Sequence, residues 1–288
     1  MRWSSLFKKS RKPDFLLIGA QKCGTSWLHH HLRLSESIYM PEEKDREHFS
    51  YVGHVTRQAT NNYCDQFSPA RADQIVGDAN AGYFWTRTGS KWGRQPESFN
   101  PDIPGSIHRF CGGQLKLILM LRDPVERAIS AYLHHIRHGA ITPDTSILDT
   151  QVPLGIIDMG FYSKHLANWR AAFGEENFHI ITELPGIGDR ATETVEAALR
   201  FLHAKPVPHD QYYFNPVSPG LRRIVNSSGV WLPDSIDFPG KAGTRPLAEE
   251  EFDGQRFLRV VSPDELADLR EILAGNEISL LFPTPLPT

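Results

Sequence analysis

Apolar residues fall into short unbroken runs separated by longer stretches in which they recur every three or four positions. The runs at residues 15–18, 74–77, 115–121 and 178–182 are too short for helices, and their continuous apolar character predicts strands buried on both faces of a parallel sheet. Between and after them, residues 25–34, 125–138, 162–173 and 192–202 carry apolar side chains at helical spacing. Alternation of strand and helix predicts a three-layer α/β fold with a central parallel sheet flanked by helices. A last helix is predicted by Ser262 as N-cap, Pro263 at the first position and Glu265 as the capping-box glutamate, running through Leu269 and Ile272. From about 205 to 246 the chain is rich in Pro, Gly and Ser and loses its period, which predicts irregular loops.

Composition narrows the class. With 288 residues, 40% of them apolar, the chain can bury a large core, and one domain is expected over 13–288 behind a basic tail at 1–12. A net charge of −3 argues against the global basic field used for nucleic acid, so any anion site must be local. The three cysteines, Cys23, Cys64 and Cys111, form no C-x-x-C pair and suggest neither a disulfide framework nor zinc, and a reducing compartment suits them. The apolar run after the basic start is too short for a signal core or a transmembrane segment, so a cytoplasmic location is expected.

The stretch "PDFLLIGAQKCGTSWLHHHL" (13–32) carries chemistry: an apolar strand, Gly19, then Gly24-Thr25-Ser26 opening a helix. Backbone N–H groups of Cys23 through Ser26, with the positive end of the following helix, would converge on one anion, and the two hydroxyls can donate to it. A Walker A loop places its lysine directly after the second glycine; here Thr25 stands there, and Lys22 lies inside the loop. After the run at 115–121 comes Arg122, where a Walker-type metal site would need a carboxylate. Asp123 is better used as an N-cap, with Pro124 and Glu126 completing a capping box. Arg122 and Ser130, two turns into the next helix, thus outline a second anion site with no metal ligand nearby. A nucleotide phosphorylated at both ends, whose transferred group needs no Mg²⁺, fits this pair: 3′-phosphoadenosine-5′-phosphosulfate, PAPS.

These stretches resemble PAPS-dependent sulfotransferases. "PDFLLIGAQKCGTSWL" is similar to the family's 5′-phosphosulfate loop, and "LKLILMLRDPVERAISAY" to its 3′-phosphate motif. "GDANAGYF" (77–84) resembles a Gly-Glu-x-x-Pro-x-Tyr segment, with Asp78 for the glutamate and Ala81 for the proline, and "GFYSKHLANWRAAFG" (160–174) resembles a Gly-x-Tyr…Leu-x-x-Trp helix. The style is closest to the heparan-sulfate-modifying and bacterial carbohydrate branch.

The resemblance implies sulfuryl transfer from PAPS to a hydroxyl of a carbohydrate or glycosylated small molecule, releasing 3′-phosphoadenosine-5′-phosphate. Gly19, Lys22, Cys23, Gly24, Thr25, Ser26, Trp27, Arg122 and Ser130 would bind the donor. Lys241 and Arg245 in "PGKAGTRP" resemble the family's Lys-Gly-Arg nucleotide loop. Lys22 would neutralise the leaving oxygen. The general base belongs in "PEEKDREHFSY", where the register leaves Glu47 first, with His48 and Asp45 behind it. A solvated surface loop is the plain alternative for that stretch. Tyr83, Phe84, Trp85 and Trp92 suit either sugar stacking or the core, and Arg87, Lys91, Arg94 and Arg109 either an anionic acceptor or a soluble surface. His29-His30-His31 points in divergent directions, and His134 with His138 lacks further ligands, so no metal is expected. A P-loop kinase or NTPase, and a nucleotide-binding module without a base, remain the competing readings.

Overall fold

The structure is a computed structural model and describes residues 11–52, 56–92, 96–150, 152–182, 189–208, 222–236 and 245–282. Five strands form the central sheet: β1 (Phe15–Gly19), β2 (Ile38–Tyr39), β3 (Ile75–Ala79), β4 (Lys116–Met120) and β5 (Phe178–Ile181), in the order β2-β3-β1-β4-β5 and parallel throughout. The four buried runs became β1, β3, β4 and β5, within a residue or two of their expected ends. The two-residue β2 carries too little pattern to be read.

Helices α1 (Thr25–Leu32), α2 (Arg57–Asp65), α3 (Ile103–Cys111), α4 (Pro124–Arg137), α5 (Tyr162–Ala172) and α6 (Asp189–Leu202) connect and cover these strands, α1 packing on α6 and α3 on α5. From β1 the chain first builds outward to β3 and β2, then returns to the other side of β1 for β4 and β5. The crevice past the C-terminal ends of β1 and β4 is therefore the topological switch point, where open α/β sheets bind ligands.

The C-terminal part departs from expectation. Within the stretch expected to be irregular lie β6 (Ile224–Asn226) and β7 (Gly229–Pro233), which join β8 (Glu249–Phe252) and β9 (Gln255–Val261) in an antiparallel sheet ordered β6-β7-β9-β8. All five residues of β7 are buried, and Val230 and Leu232 share a core with Ile129 and Leu133 of α4 and Leu269 of α7 (Pro263–Ile272). The edge strand β8 reads Glu-Glu-Glu-Phe, charged enough to hide its strand character and to discourage further pairing. Ser262 and Glu265 do form the capping box that starts α7, and α8 (Ile278–Leu281) follows.

Several histidines are built in as neutral groups, which sets an acid limit on the fold. Burial pushes His29, His165 and His179 down to about 4. A depressed histidine leaves the unfolded chain binding more protons below its ordinary range, so this stability is complete above about pH 6.5 and is lost as pH falls toward 4. At about 1.4 kcal/mol per tenfold, each site gives up about 3 kcal/mol. Asp78 works the other way: burial raises its carboxyl to about 6, so acidification through that value returns a similar amount. His134 is also lowered to about 4, so the depressed histidines outweigh the one raised carboxyl and stability falls as the pH drops from about 6.5 toward 4. Cooperative unfolding between pH 6 and 4 is expected by circular dichroism; native signal retained at pH 3.5 would contradict it.

Candidate functional site

β1 ends where only glycine fits. At Gly19, φ is 147°, and an added Cβ would stand 2.7 Å from Phe84 Cβ and 2.9 Å from Ala81 O. The chain then turns through Lys22 at φ 69° to Gly24, which starts α1 from a left-handed conformation with φ 90°. Cys23 N–H is returned to Ala20 O at 3.1 Å, so it does not join the outward donors. Leu28 N–H closes the first helical bond to Gly24 O, and the N–H groups of Gly24, Thr25 and Ser26 stand at the open helix end. The Cys23 thiol is buried near Tyr162 Oη, 3.9 Å away, and burial pushes it up to about 11. Trp27, expected in the donor site, packs its ring on His31 at 4.3 Å and belongs to the core because α1 turns that face inward.

β4 runs beside β1, so Arg122, two residues past its end, reaches the loop: Arg122 Nη1 donates to Lys22 O at 3.5 Å. Asp123 caps α4 by accepting from Glu126 N–H at 2.8 Å. Glu126 does not complete the expected capping box. Its carboxylate instead accepts from Arg122 at 3.1 Å and from Arg223 at 2.7 Å, because two guanidinium groups are stronger donors than one amide. Ser130, half-buried, lies one turn beyond Glu126 and one turn before His134 on the same face of α4.

Lys22 is the electrostatic centre of this arrangement. Its amine lies below the usual lysine range, first through burial and then through the charges of Arg122, Arg137, Lys44 and Arg223. Burial, followed by the Lys22 charge, brings His134 down to about 4. Burial also lowers Arg223, against the opposing pull of Glu126. Cations gathered around a half-buried amine at an open helix N-terminus repel one another until an anion arrives. Among the described residues, Lys22 makes no ion pair or side-chain hydrogen bond.

Next to this cluster is a cavity of about 180 Å³ whose lining includes Gln21, Glu47, Tyr51, Trp85, Phe99 and His135. Gln21 immediately precedes Lys22, so the cavity and the β1–α1 loop share a wall. Glu47 Oε1 would be 3.7 Å from a Cβ on Gly82, which places its carboxylate over the turn that follows β3.

The other two base candidates are used differently. Asp45, at φ 62°, accepts from Ala81 N–H at 2.8 Å and pairs with Lys44, holding the loop against the end of β3. His48 lies outside the cavity lining, buried and stacked on Tyr63 at 4.4 Å with ring planes 7° apart.

Arg245 is also committed elsewhere: it bonds Glu265 at 2.6 Å and the carbonyls of Val260 and Pro143. Although burial raises it, Glu265 lies below the usual carboxylate range through bonds from Ser146 and Ser262 and the charge of Arg245. Arg245 is thus a tie between β9, α7 and the segment after α4. Lys241 lies outside the described residues, as does Arg94. Lys91 lies over Trp92, and Arg109 pairs with Asp102. Tyr83 and Phe84 are fully buried, leaving Trp85 as the aromatic of that trio at the cavity.

His29 and His31 bond to Pro41 O and Trp27 O respectively, on different sides of α1, while the rings of His134 and His138 meet at 4.2 Å. No group of three His, Cys, Asp or Glu suited to a metal ion occurs among the described residues. A larger cavity of about 380 Å³ adjoins Asp123, Glu126, Glu277 and Arg270, where carboxylates outnumber cations, a poor setting for a bisphosphate. Among the described residues, no helix is long and apolar enough to cross a membrane.

Sequence reading missed Arg223, Arg137 and Lys44. Only the "LRRIV" stretch, two arginines before an apolar run, hinted at the first of them.

Comparison with known proteins places these features in context. A family model described as "Sulfotransferase domain" matches residues 12–182. Mouse carbohydrate sulfotransferase 15 is 25% identical over 266 residues, covering 72% of this chain and 46% of that protein. Mouse heparan sulfate glucosamine 3-O-sulfotransferase 6 is 26% identical over 253 residues, covering 83% of this chain and 65% of that protein. The chain therefore spans about half to two thirds of the length of these relatives. A crystal structure of a sulfotransferase from Alicyclobacillus acidocaldarius superposes with a TM-score of 0.55 and 22% identity, covering 72% of this chain and 87% of the other, and shares the fold.

Proposed function

The chain belongs to the sulfotransferase family, and from that premise we propose that it transfers a sulfuryl group from PAPS to the hydroxyl of a carbohydrate or glycosylated small molecule. The observation that carries the reading is Lys22, half-buried among Arg122, Arg137, Lys44 and Arg223 at the N-terminus of α1, beside a cavity that contains a carboxylate. Binding at the donor end falls to the N–H groups of Gly24, Thr25 and Ser26, the hydroxyls of Thr25 and Ser26, and Arg122, Arg223 and Ser130. Glu126 holds the two arginines in register.

In the reaction, the acceptor oxygen attacks sulfur in line as the bond from sulfur to the bridging phosphate oxygen breaks. The electron pair of that bond stays on the bridging oxygen, where Lys22 neutralises it, and Glu47 takes the hydroxyl proton. The products are the sulfate ester and 3′-phosphoadenosine-5′-phosphate. No step asks a metal to neutralise a triphosphate, which separates this reading from a kinase.

Calorimetry on the purified chain tests the donor. The bisphosphate nucleotide is expected to bind without added metal and to weaken as salt rises, because the cluster acts by charge. ATP with Mg²⁺ is expected not to compete. The reverse preference would replace this reading with the kinase alternative.

A further inference from the structure

Arg127 is a cation that the proposed reaction does not use. It stands on α4 between Arg122 and Ser130, and its side chain is 0% exposed. Nη2 donates to Gly155 O at 3.2 Å and to Ile156 O, whereas Nε and Nη1 are buried without a hydrogen-bond partner. Among the described residues, no carboxylate is hydrogen-bonded to it. Arginine is almost never fully buried unless paired, because taking a guanidinium out of water is costly, and two carbonyl dipoles offset only part of that cost.

The side chain lies behind the candidate donor site. Its charge acts on Cys23 of the β1–α1 loop and on Tyr162 of α5, both of which face the Arg122 backbone, with Cys23 Sγ and Tyr162 Oη 3.9 Å apart. Neither neighbour supplies a negative charge: burial pushes the thiol up to about 11 and the phenol well above its usual range. Asp158 attracts the guanidinium, but its carboxylate is taken up by Trp85 Nε1–H at 2.7 Å, Ser90 Oγ at 2.6 Å and Thr88. Burial lowers Arg127 from the usual arginine range, and the Arg122 charge pushes the same way. A guanidinium nevertheless keeps its proton. The result is a dry, under-compensated positive charge beneath the loop that carries Lys22.

We infer that Arg127 is a positioning residue for the donor: it never touches the nucleotide, and its buried charge supplies part of the field that holds the bisphosphate. Surrounding protein screens it less than water screens the exposed Arg137, so its charge reaches further through the loop. An anion bound above the loop supplies the counter-charge that the free protein lacks. The inference rests on the PAPS reading of that site.

Calorimetry with 3′-phosphoadenosine-5′-phosphate and with adenosine 5′-monophosphate compares wild type with two variants. Arg127→Lys keeps the charge; Arg127→Gln is neutral but keeps a donor for the Gly155 and Ile156 carbonyls. The glutamine variant is expected to bind the bisphosphate about tenfold or more weakly, and to lose less with the monophosphate, because a field acts in proportion to charge. The lysine variant should stay within about threefold of wild type for both. A purely structural tie predicts another pattern, in which lysine and glutamine lose affinity alike or both nucleotides weaken by the same factor. Either of these, or unchanged affinity in the glutamine variant, overturns the inference. If circular dichroism shows the glutamine variant unfolded, Arg127→Met replaces it. Two unfolded neutral variants beside a folded lysine variant would assign the charge to the fold and overturn the inference as well. Failure of the wild-type chain to bind the bisphosphate would instead bring down the donor reading, and this inference with it.

Discussion

Lys22→Ala is expected to lower kcat by about 10²- to 10³-fold while bisphosphate affinity changes by less than about tenfold. A unit charge about 4 Å from a developing oxyanion, at an effective dielectric of about 20, contributes up to roughly 4 kcal/mol, or on the order of 10³ in rate when it is realised only in the transition state. Ground-state attraction is shared among Arg122, Arg223, Arg137 and Lys44, so losing one member costs little binding. Backbone strain does not confuse the comparison: Lys22 sits at φ 69°, and alanine carries the same Cβ into the same left-handed region. Single-turnover rates with saturating PAPS, read beside calorimetric binding, check both halves. A near-normal rate would remove the leaving-group role, and a loss confined to affinity would make Lys22 a plain phosphate anchor.

The loop half of the candidate site was legible as geometry because its parts are local. A strand, Gly19, a loop lysine, Gly24 and a helix start lie within twelve residues, and Arg122 follows the strand that pairs beside β1. Neighbouring residues and parallel pairing therefore fix that geometry. The rest depends on long-range placement. Arg223 reaches Glu126 from the end of a segment whose composition reads as loop, and the capping-box reading of Glu126 gave no sign that two arginines would compete for its carboxylate.

The same limit applies to the second sheet. β8 is three glutamates and a phenylalanine, and only its pairing with β9 makes it a strand. Around the base, the sequence puts Glu47 first but leaves His48 and Asp45 open behind it. What separates them is that Asp45 is bonded to Ala81 N–H, His48 is stacked on Tyr63, and Glu47 borders the cavity.

Glu47→Gln is therefore expected to lower kcat by about 10²- to 10⁴-fold at neutral pH, the usual range for removing a general base. The substitution keeps the shape and hydrogen-bonding length of the side chain, so a fold-level effect should be small and melting should stay close to wild type. Asp45→Asn retains an oxygen for Ala81 N–H and should cost far less activity. His48→Ala should lower thermal stability, because it empties one side of the Tyr63 stack, while the folded fraction keeps near-normal kcat. If Asp45→Asn alone causes that loss of kcat, the loop register shifts by two residues and Asp45 takes the proton in place of Glu47. Full activity in all three variants would mean that the proton leaves by another route and that the chain's claim to catalysis rests on the donor site alone.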